Sequence, residues 1–185
     1  MKFQEQNFTL KNGKNIIIRE AIVQDAESII KLAKKCILDS EHLLMTVDEF
    51  NPTIEEEEKW IKSFIDNKNY LLLVATYNNE IIGNIDLTAI NREKLKHNGI
   101  IGMEIEKEWR GLGLGYLLLD SLIKWVKQKS ELSKINLDVF SSNENAIALY
   151  KKVGFIEEGR QSKFIKIKEN EFVDNLIMGL EINRL

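Results

Sequence analysis

Three glycines at alternate positions, Gly111, Gly113 and Gly115, stand between a predicted strand and a predicted long helix. Glycine allows the backbone to approach a ligand closely, and the first amides of a helix have no partner inside the helix. Such a helix start attracts phosphate, and Arg110 adds a positive charge beside it. Glycine also closes tight turns where no ligand binds. Any fold for this chain must therefore place a strand, a glycine turn and a helix in succession, and the turn is a candidate phosphate site.

Two common phosphate-binding motifs do not match this turn. A nucleotide P-loop ends in Gly-Lys-Ser/Thr, whereas Tyr116 and Leu117 follow the last glycine here. The dinucleotide motif Gly-x-Gly-x-x-Gly would need a glycine in place of Tyr116 or Leu118. The sequence therefore disfavours an ATP-type or NAD-type site.

The rest of the chain predicts alternating strands and helices, with hairpins at both ends. Asn12-Gly13 predicts a type I′ turn in the first hairpin, and Asp25 is a candidate cap of the first helix. Thr53 and Glu56 form a capping box that opens a second helix. Further strands are predicted at 70–76, 81–90, 100–105 and 135–140 with two more after 155, and further helices at 111–129 and 143–152. We expect an α/β or α+β fold, with helices on the faces of a mixed sheet, in a single domain spanning residues 1–185.

The composition limits the classes of function. A length of 185 residues, 44% hydrophobic residues and a net charge of −3 are typical of a globular domain and disfavour a nucleic-acid or anionic-membrane binder. Cys36 has no second cysteine, and His42 and His97 lie far apart, so we expect no metal site. The chain has no apolar run of membrane-spanning length and no signal-peptide core at its N-terminus, so we expect a cytoplasmic protein.

A second pattern lies downstream of the glycine turn, Asn143-x-x-Ala146-x-x-x-Tyr150-x-x-x-Gly154-Phe155. Taken alone it has a structural explanation, since asparagine caps helix starts, glycine caps helix ends and aromatic side chains pack in cores. Its occurrence together with the glycine turn is what points to a function.

The two patterns, Arg110-x-x-Gly113-x-Gly115 and the one from Asn143 to Phe155, occur in the order and about the spacing of a known family. The chain resembles the GNAT superfamily of N-acetyltransferases, and within it the bacterial enzymes that acetylate amino groups. The resemblance implies a mixed, mostly antiparallel central sheet with helices on both faces. It also implies that the family's fourth and fifth strands, here 100–105 and 135–140, splay apart.

The resemblance implies acetyl-CoA as the co-substrate, with no metal. Its pantetheine arm would lie in the splay, against the backbone of Met103, Glu104 and Ile105 and beside Asn143. The Tyr150 hydroxyl would approach the thioester sulfur. The pyrophosphate would sit on the amides of the turn, which are those of Arg110, Gly111, Leu112, Gly113, Leu114 and Gly115.

The chemistry implied is direct attack of a neutral amine on a thioester. Tyr150 is the candidate general acid, because a phenol stays protonated at a pH where a thiol begins to ionise. Glu104 and Asp138 are the candidate general bases, and each could instead be an ordinary surface carboxylate. The acidic run from Glu55 to Glu58 is interpreted as a solvated helix face, and the segment 39–51 as a border of the acceptor site.

Two functions follow from the resemblance. The first is an N-acetyltransferase whose acceptor is a primary amine, such as an amino acid, a polyamine, another small amine or a protein N-terminus. The alternative is a module of the same fold that binds acetyl-CoA without turnover. A homodimer is a common arrangement among similar proteins.

Overall fold

The computed structural model describes residues 3–182, so the first two and last three residues of the predicted domain lie outside the described part. Eight strands form one sheet in the order β1-β2-β3-β4-β5-β6-β8-β7, and all neighbours are antiparallel except β5 and β6. The mixed, mostly antiparallel sheet is therefore confirmed. The strands are β1 Gln6–Thr9, β2 Asn15–Glu20, β3 Leu71–Tyr77, β4 Glu80–Ala89, β5 Asn98–Ile105, β6 Lys134–Phe140, β7 Ile156–Lys168 and β8 Glu171–Glu181. The helices are α1 Ala26–Asp39, α2 Ile54–Ile65, α3 Leu114–Lys129 and α4 Glu144–Lys152, with short 3₁₀ turns at Val23–Asp25 and Lys107–Trp109.

Helices cover both faces of the sheet because alternate strand residues point to opposite sides. On one face, α1 and α2 pack on Leu72 and Val74 of β3. On the other face, α3 packs on Leu71 and Leu73 of the same strand, in the larger core. On the face of α3 that meets this core, Leu118, Ser121, Leu122 and Trp125 are buried.

The turns of two hairpins have different backbone conformations, and one of them corrects a prediction. At Asn12-Gly13 only the glycine has a positive φ, at 80°, and the Leu10 amide donates to the Lys14 carbonyl across a longer loop. The predicted type I′ turn is therefore wrong there, because that turn needs a positive φ at both central residues. The turn between β3 and β4 does meet the requirement, with φ of 49° and 66° at Asn78 and Asn79.

The two predicted helix caps also have different outcomes. Thr53 and Glu56 form the capping box of α2, each side chain accepting from the other's amide. The Asp25 carboxylate does not cap α1. It accepts two hydrogen bonds from the Arg19 guanidinium, at 2.7 and 2.9 Å, and one from the Ile22 amide. An arginine within reach is a stronger partner for a carboxylate than a neutral amide, which explains the difference.

The strands β5 and β6 separate soon after they meet. Their parallel pairing joins Asn98 with Lys134 and ends where Ile100 pairs with Asn136. From residue 101 to residue 105 the edge of β5 that faces β6 is open, while its other edge remains paired with β4. The expected splay between 100–105 and 135–140 is therefore present, and it widens toward the glycine turn.

Candidate active site

The glycine turn adopts a backbone that other residues rarely adopt. Gly111 and Gly113 have φ of 74° and 96°, in the left-handed region that side chains disfavour. Among residues 3–182, no group accepts a hydrogen bond from the amides between Gly111 and Gly115. The Lys11 amide donates to the Leu112 carbonyl at 3.2 Å and braces the turn from the β1–β2 loop. A set of free donors at the start of a long helix suits a phosphate.

Gly115 is required for a different reason. A Cβ atom there would lie 2.8 Å from Leu149 Cδ2 and 3.2 Å from Ile105 Cδ1. The third glycine of the turn therefore allows α3, α4 and β5 to pack closely. This explanation is structural, and it is compatible with the predicted contact between the Gly115 amide and pyrophosphate.

Arg110 is anchored on the strand that precedes the turn. Its Nε atom donates to the Ile105 carbonyl at 2.8 Å. Burial raises the pKa of the Cys36 thiol in α1, and the positive charge of Arg110 lowers it by a smaller amount. The arginine therefore ties the turn to β5, which is a positioning role in addition to the predicted positive charge.

The backbone of β5 offers hydrogen-bonding groups to the splay. The Glu106 amide donates to the Ile82 carbonyl of β4, so the antiparallel alternation also directs the amide and carbonyl of Glu104 to β4. The backbone groups of Met103 and Ile105 then face the open edge. Of the three residues predicted to pair with pantetheine through their backbone, Met103 and Ile105 are placed to do so, whereas Glu104 is not.

The side chains of β5 alternate between the two faces of the sheet. The Met103 and Ile105 side chains reach toward Gly115 of α3, on one face of the sheet. The Glu104 side chain points to the other face and lines a cavity of about 510 Å³. The remaining lining residues come from the end of α1 and from the segment before α2, and they are Ile37, Leu43, Leu44, Met45, Glu49 and Phe50. Five residues of the segment expected to border the acceptor therefore line the cavity, namely Leu43, Leu44, Met45, Glu49 and Phe50.

Glu104 lies in an acidic and partly dry environment. Burial raises the pKa of Glu104, and a hydrogen bond with the Asn84 side chain opposes that rise. Two further carboxylates lie within electrostatic range. Burial, reinforced by the charge of Glu104, raises the pKa of Glu57 to about 7 and that of Asp86 to about 7. A carboxylate with a raised pKa is a better proton acceptor than an exposed one, and raised pKa values are typical of functional sites.

Glu57 corrects an interpretation made from the sequence. Its side chain is only 8% exposed, although the run from Glu55 to Glu58 was expected to be a solvated face. Glu57 lies four residues before Ile61 and seven before Phe64, so it falls on the buried side of α2. The helical spacing of Glu57 from Ile61 and Phe64 is the sequence signal of its burial.

Tyr150 lies on the opposite side of the sheet from Glu104. It packs against the larger core beside Phe155, with the ring centroids 5.8 Å apart. Burial raises the pKa of Tyr150 to about 12, so the hydroxyl is protonated at neutral pH. Among residues 3–182, no protein group forms a hydrogen bond with this hydroxyl. Between these two faces lies the edge of β5 that is unpaired with β6 beyond residue 100.

Asn143 begins α4 as a cap, since its Oδ1 accepts from the Ala146 amide at 3.2 Å. Its side-chain amide donates to no other residue in the described part of the chain, which leaves that group available to a ligand. The structural explanation of Asn143 is therefore correct, and it is compatible with the predicted contact with pantetheine.

Asp138 is exposed on β6, on the same face of the sheet as Glu104. It accepts a hydrogen bond from Asn175 Nδ2 at 2.7 Å, and that amide also donates to Gln161. The carboxylate is thus part of a polar network on β6, β7 and β8. Within residues 3–182, no group of three or more His, Cys, Asp or Glu side chains is arranged to hold a metal ion.

Residues 38–155 match the family model described as the acetyltransferase (GNAT) family. The chain belongs to the GNAT family of acetyltransferases. The match includes the glycine turn, Glu104, Asp138 and the pattern from Asn143 to Phe155, and it covers more than half of the chain.

Individual GNAT proteins extend this similarity over most of the chain. An L-amino acid N-acetyltransferase of Escherichia coli K12 is 26% identical over 89% of this chain and 96% of its own length. An N-alpha-acetyltransferase of Sulfurisphaera tokodaii is 28% identical over 80% of this chain and 84% of its own. A crystal structure of a GNAT acetyltransferase from Streptococcus pneumoniae has a TM-score of 0.87 and 32% identity, covering 90% of this chain and 99% of its own. A Salmonella typhimurium protein whose structure contains acetyl-CoA shares the fold, with a TM-score of 0.80 and 18% identity over 91% of this chain and 94% of its own.

Several residues of this GNAT site were not identified from the sequence. Asn84 and Asp86 are alternate polar residues between the apolar residues Ile82, Ile85 and Leu87 of β4, and that irregularity is a visible sign. Gly102 provides space for Asp86, because a Cβ atom there would lie 2.7 Å from Asp86 Oδ1. Lys11 could not be found by pattern, since only the folded chain brings the first hairpin to the glycine turn.

Among the described residues, no helix is both long enough and apolar enough to cross a membrane.

Proposed function

We propose that this GNAT protein transfers the acetyl group of acetyl-CoA to a primary amine. The observation that carries the proposal is the short pairing of β5 with β6, which ends at Ile100 and Asn136 and leaves an open strand edge beside unpaired amides. That edge presents amides and carbonyls to an extended chain, and the turn presents donors to phosphates. The acetyl-CoA bound in the Salmonella protein, which has the same fold, supports the choice of ligand.

The residues that would hold acetyl-CoA fall into two groups. The backbone groups of Met103 and Ile105 would pair with the amides of the pantetheine arm, and the side-chain amide of Asn143 would donate to it. The amides from Gly111 to Gly115 would bind the pyrophosphate. The aliphatic part of Lys11 lies 3.9 Å from the position of a Cβ at Gly113, so its ammonium is within reach of the same phosphates. Acetyl-CoA supplies a thioester as the acyl donor, and no metal is needed for this chemistry.

We assign the proton transfers to Glu104 and Tyr150. An aliphatic amine is almost entirely protonated at neutral pH, so it must lose a proton before or during attack. Glu104 would accept that proton in the cavity, where burial raises its pKa. Tyr150 would donate a proton to the departing thiolate, because its pKa of about 12 keeps it protonated and its hydroxyl has no partner among residues 3–182. Asp138 is the rival base, but its exposure and its bond to Asn175 make it less suited to accept a proton from a buried amine.

The proposal is tested in two steps with the full-length protein. Isothermal titration with acetyl-CoA should show binding, and ATP and NAD should not bind. Release of free thiol from acetyl-CoA should then depend on an added primary amine. Binding without amine-dependent release would favour the alternative, a non-catalytic module. Absence of binding would refute both functions.

The proposal extends to the setting of the protein. We place it in the cytoplasm as a single domain of residues 1–185, with a small amine or a peptide as its acceptor and no nucleic acid or membrane partner. A homodimer is compatible with the apolar side chains exposed on the β7–β8 hairpin, Phe164 and Phe172. Light scattering of the purified protein tests the dimer.

A further inference from the structure

The cavity beside Glu104 has an unusual balance of charge. Five of its seven lining residues are apolar, and the other two, Glu49 and Glu104, are acidic. Among residues 3–182, no lysine, arginine or histidine lines it. The cavity therefore offers apolar surface and negative charge, but no positive group.

The side chains around Glu104 are acidic or neutral. Asn84 supplies a neutral hydrogen bond, and the next carboxylates, Glu57 and Asp86, are destabilised in their charged form by Glu104 itself. The Glu49 carboxylate accepts hydrogen bonds from the amide and the hydroxyl of Thr46, and these bonds fix its position. None of the groups named here carries a positive charge that could pair with a carboxylate.

Arg110 is a cation that could pair with a carboxylate on the acceptor molecule. Burial and the charge of Glu104 raise the pKa of Cys36 in α1, and the charge of Arg110 lowers it. However, its Nε is bonded to the Ile105 carbonyl and its side chain does not line the cavity. The Nε group of Arg110 is therefore engaged by β5, and the side chain is not part of the cavity wall.

We infer that the acceptor is a primary amine attached to an apolar body, with no carboxylate next to the amine. The inference rests on the acetyl transfer proposed above and defines its substrate class. Free amino acids are excluded, which separates this chain from its Escherichia coli relative, a protein named for L-amino acids. Apolar alkylamines and peptides that begin with an apolar residue share the required chemistry.

The physical basis is the short distance between the two groups of an amino acid. When the amine reaches Glu104, a carboxylate on the same carbon must enter the same cavity. Like charges in contact cost several kcal/mol, and about 1.4 kcal/mol corresponds to a tenfold change in rate or affinity. An ammonium without that carboxylate gains from Glu104, and its alkyl part gains from the apolar wall.

The decisive comparison is between leucine and 3-methylbutylamine, which is leucine without its carboxylate. Because the alkylamine is the more basic of the two, its neutral fraction is smaller, and protonation cannot explain a preference for it. We expect its kcat/KM to exceed that of leucine by about 100-fold, corresponding to roughly 2.8 kcal/mol of discrimination. A peptide Leu-Ala-Ala-Ala amide is compared with 3-methylbutylamine to distinguish a peptide acceptor from a small amine.

A charge added to the cavity wall provides an independent test. Met45 is 47% exposed, so Met45→Arg should be tolerated. We expect it to raise the kcat/KM for leucine relative to 3-methylbutylamine by about tenfold, whereas the uncharged control Met45→Gln should leave the ratio unchanged.

The outcomes separate this inference from the proposed function. If leucine equals or exceeds 3-methylbutylamine with the wild-type protein, the acceptor class is wrong while acetyl transfer stands. If acetyl-CoA binds but no amine in the set releases thiol, the proposed function itself fails. If Met45→Arg folds, as judged by its melting temperature, and leaves the ratio unchanged, the absence of a cation is not what excludes amino acids.

Discussion

Leu149 Cδ2 lies 2.8 Å from the position that a Cβ atom on Gly115 would occupy. The contact joins the start of α3 to α4, the helix that carries Tyr150. It therefore couples the packing of the glycine turn to the position of the candidate general acid.

Gly115→Ala should destabilise the protein through this contact. Alanine improves helix propensity by about 1 kcal/mol, but overpacking costs about 1–3 kcal/mol, so the steric effect should prevail. The melting temperature should fall. In a Leu149→Ala background the closer of the two contacts is removed and only the 3.2 Å contact with Ile105 remains, so the same substitution should destabilise the protein less. A fall of equal size in both backgrounds would show that Leu149 is not the obstacle.

Glu104→Gln should reduce kcat/KM by about 10²–10⁴-fold, because the isosteric amide cannot accept the proton. Burial raises the pKa of Glu104, so the wild-type rate should decline with falling pH from above the usual range of glutamate. The matched variant Asp138→Asn should retain most of the activity and the same decline. A larger loss in Asp138→Asn than in Glu104→Gln would make Asp138 the base.

Tyr150→Phe should lower kcat by about 10²–10⁴-fold while acetyl-CoA still binds. Since the pKa of Tyr150 is raised to about 12, its proton is retained through neutral and mildly alkaline pH. The wild-type rate should therefore show no alkaline decline below about pH 10. Wild-type turnover in Tyr150→Phe would remove the phenol from the mechanism.

Gly113→Asp should weaken acetyl-CoA binding strongly in calorimetry, because it adds negative charge and a side chain at a φ of 96°. Asn170→Asp is the control, since it adds the same charge at a φ of 64° in the turn between β7 and β8. Lys11→Ala should weaken binding more modestly and reduce its salt dependence. Unchanged affinity in Gly113→Asp would place the pyrophosphate elsewhere.

Stability should decrease as pH rises through neutrality. Glu57 has a pKa of about 7 in the folded chain and about 4.3 when unfolded, so the folded state favours its neutral form. That contribution is complete below the unfolded pKa and is lost as pH rises through 7. Glu57→Gln should therefore raise the melting temperature at pH 8.5 by about 2–4 °C for each kcal/mol gained, and by less at pH 5. Glu58→Gln, one residue along α2, should have little effect at either pH.

Local patterns in the sequence were sufficient for most of the elements and for the family. The capping box at Thr53, the glycine turn and the pattern from Asn143 to Phe155 each depend on neighbours within a few residues. The alternation of side chains along β5, which places Glu104 and Met103 on opposite faces, likewise follows from the geometry of a strand. These features needed no knowledge of distant contacts.

Apart from the turn at Asn12-Gly13, where the error is local, the failures and omissions involve a competing partner or a contact between elements. Asp25 pairs with Arg19 instead of capping α1, and Glu57 is buried by the way α2 packs. Lys11 reaches the glycine turn from about a hundred residues away along the chain. Sequence periodicity describes one element at a time, and these contacts arise only when elements pack together.

The sequence by itself determined the order of strands and helices, the glycine turn and membership of the GNAT family, because local backbone preferences and short spacings specify them. Only the tertiary structure decided where the pairing of β5 with β6 ends and which carboxylates are buried. It also decided that no cation lines the cavity beside Glu104 among residues 3–182. Burial and electrostatic environment depend on which distant surfaces come together, and that depends on packing of the whole chain.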